Sequence, residues 1–101
     1  MISSVIDVAH ALSVHHLNAG DMRAAQEAAA QGLLVEPACE LLHRDAIRAA
    51  AGRGDTADVA RLASRLRSQI ESIDPDGSLD DETADLLRRL HSGSRYQNLP
   101  T

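Results

Sequence analysis

Two residues with soft donor atoms, Cys39 and His43, stand four positions apart. On a helix that spacing can present both to one metal ion. A zinc site needs a third and a fourth ligand, and Cys39 is the only cysteine. The pair therefore reads as a small buried thiol beside a partly exposed imidazole. His10, His15 and His16 cluster near the start, but no two of them are spaced i, i+4. They read as structural or surface histidines that respond to mild acid if an interface covers them. The carboxylates Asp76, Asp80, Asp81, Glu82 and Asp85 lack the oxygen spacing of a calcium loop. They read instead as the acidic start of a helix, opposing its dipole. Arg61, Arg65, Arg88 and Arg89 could form a basic patch, but Asp58 and Asp85 lie within one turn and no aromatic is near to stack a base. A solvated charged face is the simpler expectation. No nucleophile–base pair and no glycine loop followed by Lys occurs, so neither catalysis nor a cofactor nor a metal is expected.

The composition narrows what can position these groups. The chain has 101 residues, enough for one domain with a modest core. There is no Phe or Trp and a single Tyr, so Leu, Ile, Val and Ala must fill that core, which suits close-packed helices. The formal charge of −5 repels phosphate backbones. Direct nucleic-acid binding is therefore not expected. One cysteine forms no internal disulfide and fits a reducing compartment. Nothing resembles a signal peptide or a membrane span, which points to a soluble, cytoplasmic chain.

Apolar spacing predicts five helices, an all-α fold. The first covers about 4–17, with Val5, Ala9, Leu12 and His16 on its inner side, widened by Ile2, Ile6 and Leu17. Asp21 caps a second over 22–34, whose inner face is Met22, Ala25, Ala28, Ala29 and Leu33, and Pro37 closes it. The third, 39–51, is apolar over a wide arc and is expected to be central, with Glu40, Arg44 and Arg48 as a solvated charged row. Asp55 caps the fourth, 56–73, striped by Val59, Leu62, Leu66, Ile70 and Ile73. Asp74-Pro75-Asp76-Gly77 signals a turn. A fifth helix covers 80–91, burying Leu86, Leu87 and Leu90. Residues 92–101 lack periodicity and read as a frayed tail.

Gly20-Asp21 and Gly54-Asp55 stand 34 residues apart, the period of the tetratricopeptide helical hairpin. In each pair Gly ends one helix in the left-handed conformation and Asp caps the next. The tripeptide Arg53-Gly54-Asp55 therefore reads as the bend of the second hairpin, not as an adhesion signal. The chain is expected to form a tetratricopeptide-like stack over 1–91. Its first hairpin is 6–39, its second 40–73, and 80–91 caps the end.

The order Leu17-x-Ala-Gly-Asp, Gly32-Leu33, Glu36-Pro37-x-x-Glu40-x-Leu42-His43-Arg44, Ala49-Ala50-x-Gly52-x-Gly54-Asp55, Leu66-Arg67, Asp74-Pro75 and Thr83-x-x-Leu86 resembles the bacterial transcriptional activator domain. It is most similar in kind to the C-terminal version in actinobacterial proteins with lysin-motif segments. The resemblance runs from Ala9 to Leu90 and corresponds to the later part of that domain. It departs at Ala63, where the family often has Tyr, and before Thr83, where Asp81 and Glu82 replace a common Pro. The first departure implies a thinner core, and the second bears on the entry to the last helix.

The resemblance implies a tetratricopeptide-like module for protein contacts inside a regulator, with DNA contacted by a separate domain. Stacked hairpins form a concave surface that holds a peptide or another helix, here expected along the first and third helices. Ile2, Val5 and Ile6 at the uncapped first end are expected to pack on a second copy, giving a homodimer, or on an upstream domain. The alternative is a self-associating structural domain of a lysin-motif cell-envelope protein with no separate ligand.

Overall fold

Asp21 and Asp55 each start a helix by turning a side-chain oxygen back on the backbone. Asp21 Oδ1 accepts from the Ala24 amide at 3.2 Å, and Asp55 Oδ1 from the Asp58 amide at 3.0 Å. The glycines before them are left-handed, with φ of +80° at Gly20 and +74° at Gly54, a conformation other residues adopt only with strain. The bonds around the two bends repeat. The Asp21 amide donates to His16 O at 2.9 Å, and the Asp55 amide to Ala50 O at 3.1 Å. The Gly20 amide donates to Leu17 O at 3.1 Å, and the Gly54 amide to Ala51 O at 2.9 Å.

The computed structural model describes the backbone of residues 4–97 and the side chains of 4–91. It contains five helices, α1 Val5–Asn18, α2 Met22–Val35, α3 Glu40–Gly52, α4 Thr56–Ile73 and α5 Asp81–Gln97, with no strand among the described residues. Ser4 caps α1 by accepting from the Asp7 amide at 3.1 Å. In the α4–α5 turn the Gly77 amide donates to Asp74 O at 2.8 Å. α5 does not stop at His91. It continues through Ser92, Gly93 and Ser94 to Gln97, so the frayed tail expected from residue 92 is corrected to helix over its first six residues. Extending an existing helix costs far less than nucleating one, and no proline intervenes before Pro100. No described helix is long and apolar enough to cross a membrane.

The helices pack around α3. α1 lies on α2, α2 on α3 and α3 on α4, and both α1 and α5 reach α3 directly. Accordingly α3 is buried nearly all round, from Leu42 to Ile47 and at Ala49 and Ala50. The core is Ala29, Ala46, Ile47, Ala50 and Leu62, with Val59, Leu86, Leu87 and Leu90 against it. Small residues let the backbones close in. A Cβ at Gly32 would stand 2.7 Å from Ala9 Cβ and nearer still to Leu42 Cδ1, so α1, α2 and α3 meet at that glycine. The particle measures 53 × 37 × 19 Å, and its thickness is about two helix diameters.

Faces differ from expectation on α1, α3 and α4; on α4, Ile73 is 73% exposed, not on the inner stripe. On α1 the buried positions are Ala9 and Ser13, whereas Val5, Val8 and Leu12 are 55%, 48% and 48% exposed. Ser13 is buried because its hydroxyl donates to Ala25 O at 3.0 Å across the α1–α2 contact. The row Glu40, Arg44 and Arg48 is not uniformly solvated either. Arg48 is exposed, but Arg44 is buried under the start of α5.

Candidate functional site

The start of α5 is held by α3. Glu40 accepts from the Asp80 amide at 3.0 Å and from the Thr83 hydroxyl at 2.7 Å. Arg44 donates to Thr83 Oγ1 at 2.9 Å and lies 3.5 Å from Glu82. Thr83 is fully buried. Glu40 thus caps a helix from across the structure, satisfying an amide that the α5 N-terminus leaves open. Asp81 and Glu82 occupy the first turn of α5, as the acidic run predicts. The sequence signal that could place Glu40 and Arg44 inside is the wide apolar arc of α3, formed by Leu41, Leu42, Ala46, Ile47, Ala49 and Ala50.

Beyond that anchor α5 rests on α3 and not closely on α4. The gap is a cleft of about 670 Å³ between α4 and α5. Val59, Ala60 and Ala63 form one wall, and Leu79, Leu87 and Leu90 the other. A small side chain at Ala63 keeps the α4 wall low. Arg67 borders the cleft from α4, and Arg88, Arg89 and His91 from α5. α3, expected to line a groove with the first helix, has almost no free surface. Only its end, at Ala51, reaches the cleft.

The four arginines read as one patch divide. Arg61 and Arg65 face a smaller cavity of about 180 Å³ with His43, Leu33 and Leu62, whereas Arg88 and Arg89 lie at the α4–α5 cleft. Arg61 pairs with Asp58 at 2.6 Å and Arg88 with Asp85 at 2.7 Å.

Among the sequence-singled residues, Arg53-Gly54-Asp55 is a bend whose charged ends are engaged. Arg53 donates to Asp58 at 2.8 Å and to Gln26 Oε1 at 2.6 Å. Asp58 also accepts from Gln26 Nε2 at 2.9 Å, and this bond, with Arg61 and Arg53 beside it, holds its carboxyl below the usual range. Pro37 offers its carbonyl to His43 Nε2 at 2.7 Å, and Pro75 lies exposed in the α4–α5 turn. Val5 is exposed as the self-association reading requires, but Ile6 is half-buried, and Ile2 lies outside the described residues.

Cys39 and His43 exchange the environments expected of them. Cys39 is only partly buried, while His43 is 2% exposed. Burial lowers the His43 pKa, only partly opposed by the Pro37 carbonyl, and Nδ1 has no partner. Neutral His43 donates through Nε2. His10 reaches across from α1 to Asp45 on α3 at 2.7 Å, and Asp45 is fully buried. Burial raises the Asp45 pKa, with His10 and Arg48 opposing. No group of three or more His, Cys, Asp or Glu close enough to hold a metal occurs among the described residues.

Among the described residues the arrangement offers the α4–α5 cleft, the α1 stripe and the exposed Leu34, Val35 and Ile73 as apolar surface. No family model, curated protein or solved structure matches the chain.

Proposed function

We propose that this protein is a non-catalytic helical interaction module that receives a partner in the α4–α5 cleft. The single observation that carries this is an apolar trough of about 670 Å³ left open between two helices of a molecule otherwise packed through alanines. Grooves of that kind accept the apolar face of another helix. The bond-for-bond recurrence of the bends at Gly20-Asp21 and Gly54-Asp55 supports two tetratricopeptide-like hairpins closed by α5. The resemblance of Ala9 to Leu90 to the bacterial transcriptional activator domain supports reading the module as part of a transcriptional or signalling regulator. Peptide selection on the intact protein tests the reading, with the Ala60→Trp variant as counter-screen. Ala60 is exposed on the cleft wall, so Trp fills the trough without entering the core. Peptides retained by the native protein and lost by the variant support the proposal. Peptides indifferent to the variant contradict it.

A second reading, self-association through α1 as a dimer or as a lysin-motif-associated structural domain, draws on the exposed Val5, Val8 and Leu12. Three side chains cover much less than the ~800 Å² per partner of a standard interface, which is why it ranks second. Under it, Leu12→Asp converts a dimer to a monomer in sedimentation equilibrium.

A further inference from the structure

We propose that the occupant of the α4–α5 cleft is an acidic amphipathic helix, an inference that rests on reading the cleft as the partner surface. The chain carries a formal charge of −5, yet the cleft is bordered by Arg67, Arg88, Arg89 and His91 and by no Asp or Glu. The cleft is therefore charged against the trend of the molecule. Arg88 is matched internally by Asp85 at 2.7 Å. Arg67 on the α4 side and Arg89 on the α5 side have no carboxylate within ion-pair distance among the described residues.

An entering helix meets an apolar floor with an unmatched cation on each side. Apolar residues spaced i, i+3, i+4 and i+7 fill the floor, and carboxylates flanking that stripe meet both arginines. Alanines at Ala51, Ala60, Ala63 and Ala84 let the incoming backbone come close. Such charges set partner choice and association rate more than total affinity. Nucleic acid is the less favoured anion, because among the described residues no Phe, Tyr or Trp lines the cleft to stack bases and the formal charge of −5 repels phosphate.

The test is fluorescence anisotropy with labelled probes and the intact 101-residue chain. One probe is an amphipathic helix of about 16 residues, long enough to overlap the whole α4 wall from Thr56 to Arg67, with a leucine stripe flanked by Glu. The second has every Glu replaced by Lys, and the third is single-stranded oligothymidine. The expected result is that the Glu helix binds about tenfold or more tighter than the Lys helix, a preference that shrinks as salt rises. The exposed double variant Arg67→Gln, Arg89→Gln removes the preference while melting like the native protein, and Ala60→Trp blocks both helices. Equal binding of the two helices, both lost in Ala60→Trp, overturns the acidic partner and leaves the cleft reading standing. Binding of neither helix overturns both. Binding of oligothymidine in place of the Glu helix assigns the arginines to nucleic acid and overturns the inference.

Discussion

Gly20 and Gly54 hold the same left-handed turn, and an added Cβ meets nothing within 4 Å at either site. Substitution there is therefore a backbone penalty free of steric contributions. Gly20→Ala and Gly54→Ala should each cost about 1–2 kcal/mol, and the two costs should agree in denaturant titration. Gly32 is the contrasting case, since Gly32→Ala forces a clash where three helices meet. His43 brings a pH dependence. Its folded pKa lies below the usual 6.5, so the folded state binds fewer protons than the unfolded state. The resulting stability is complete above about pH 6.5 and is lost as pH falls through the lowered value. Native protein should lose midpoint between pH 7.5 and 5.5, and His43→Gln, whose amide can still serve Pro37 O, should lose less. The raised pKa of Asp45 has the opposite sign, so its contribution weakens as pH rises through that value. Comparison with the His43 variant separates the two.

Among the elements, the Gly–Asp and Pro signals placed the first four helices to within a residue, because caps and breakers act locally. Faces were harder to read. The buried side of α1 carries Ser13 and His10, whose polar atoms find Ala25 O and Asp45 on other helices, and no periodicity of α1 alone reveals a partner 12 or 35 residues away. Leu12 is the consequence, an apolar residue left outside. Leu12→Asp should change stability by less than about 0.5 kcal/mol, measured at a concentration where only monomer is present. The same limit hid the role of Glu40, Arg44 and Thr83, each ordinary at the surface and effective only together. Arg44→Ala removes the cation from a largely buried cluster, at a cost of about 3 kcal/mol. Hydrogen exchange should show protection falling first in α5, with α1 and α2 retaining theirs.

At the scale of the molecule, a slab 19 Å thick with an alanine-rich core cannot enclose all its apolar surface. α3, touched by every other helix, takes nearly all the burial available. What remains uncovered is the cleft beside α5, the stripe on α1, and single apolar side chains at helix ends: Leu34 and Val35 on α2 and Ile73 on α4. The cleft was not legible in the sequence, because it arises from how far α5 stands from α4, a quantity set by the Arg44–Thr83 anchor and the length of the turn. Under the proposed function this cleft receives a partner. Methyl chemical-shift mapping with a selected peptide tests it most directly. A partner in the cleft gives perturbations centred on Val59, Ala63, Leu87 and Leu90, with Val5, Val8 and Leu12 unmoved. Perturbations centred on the α1 stripe, with the cleft silent, would contradict it.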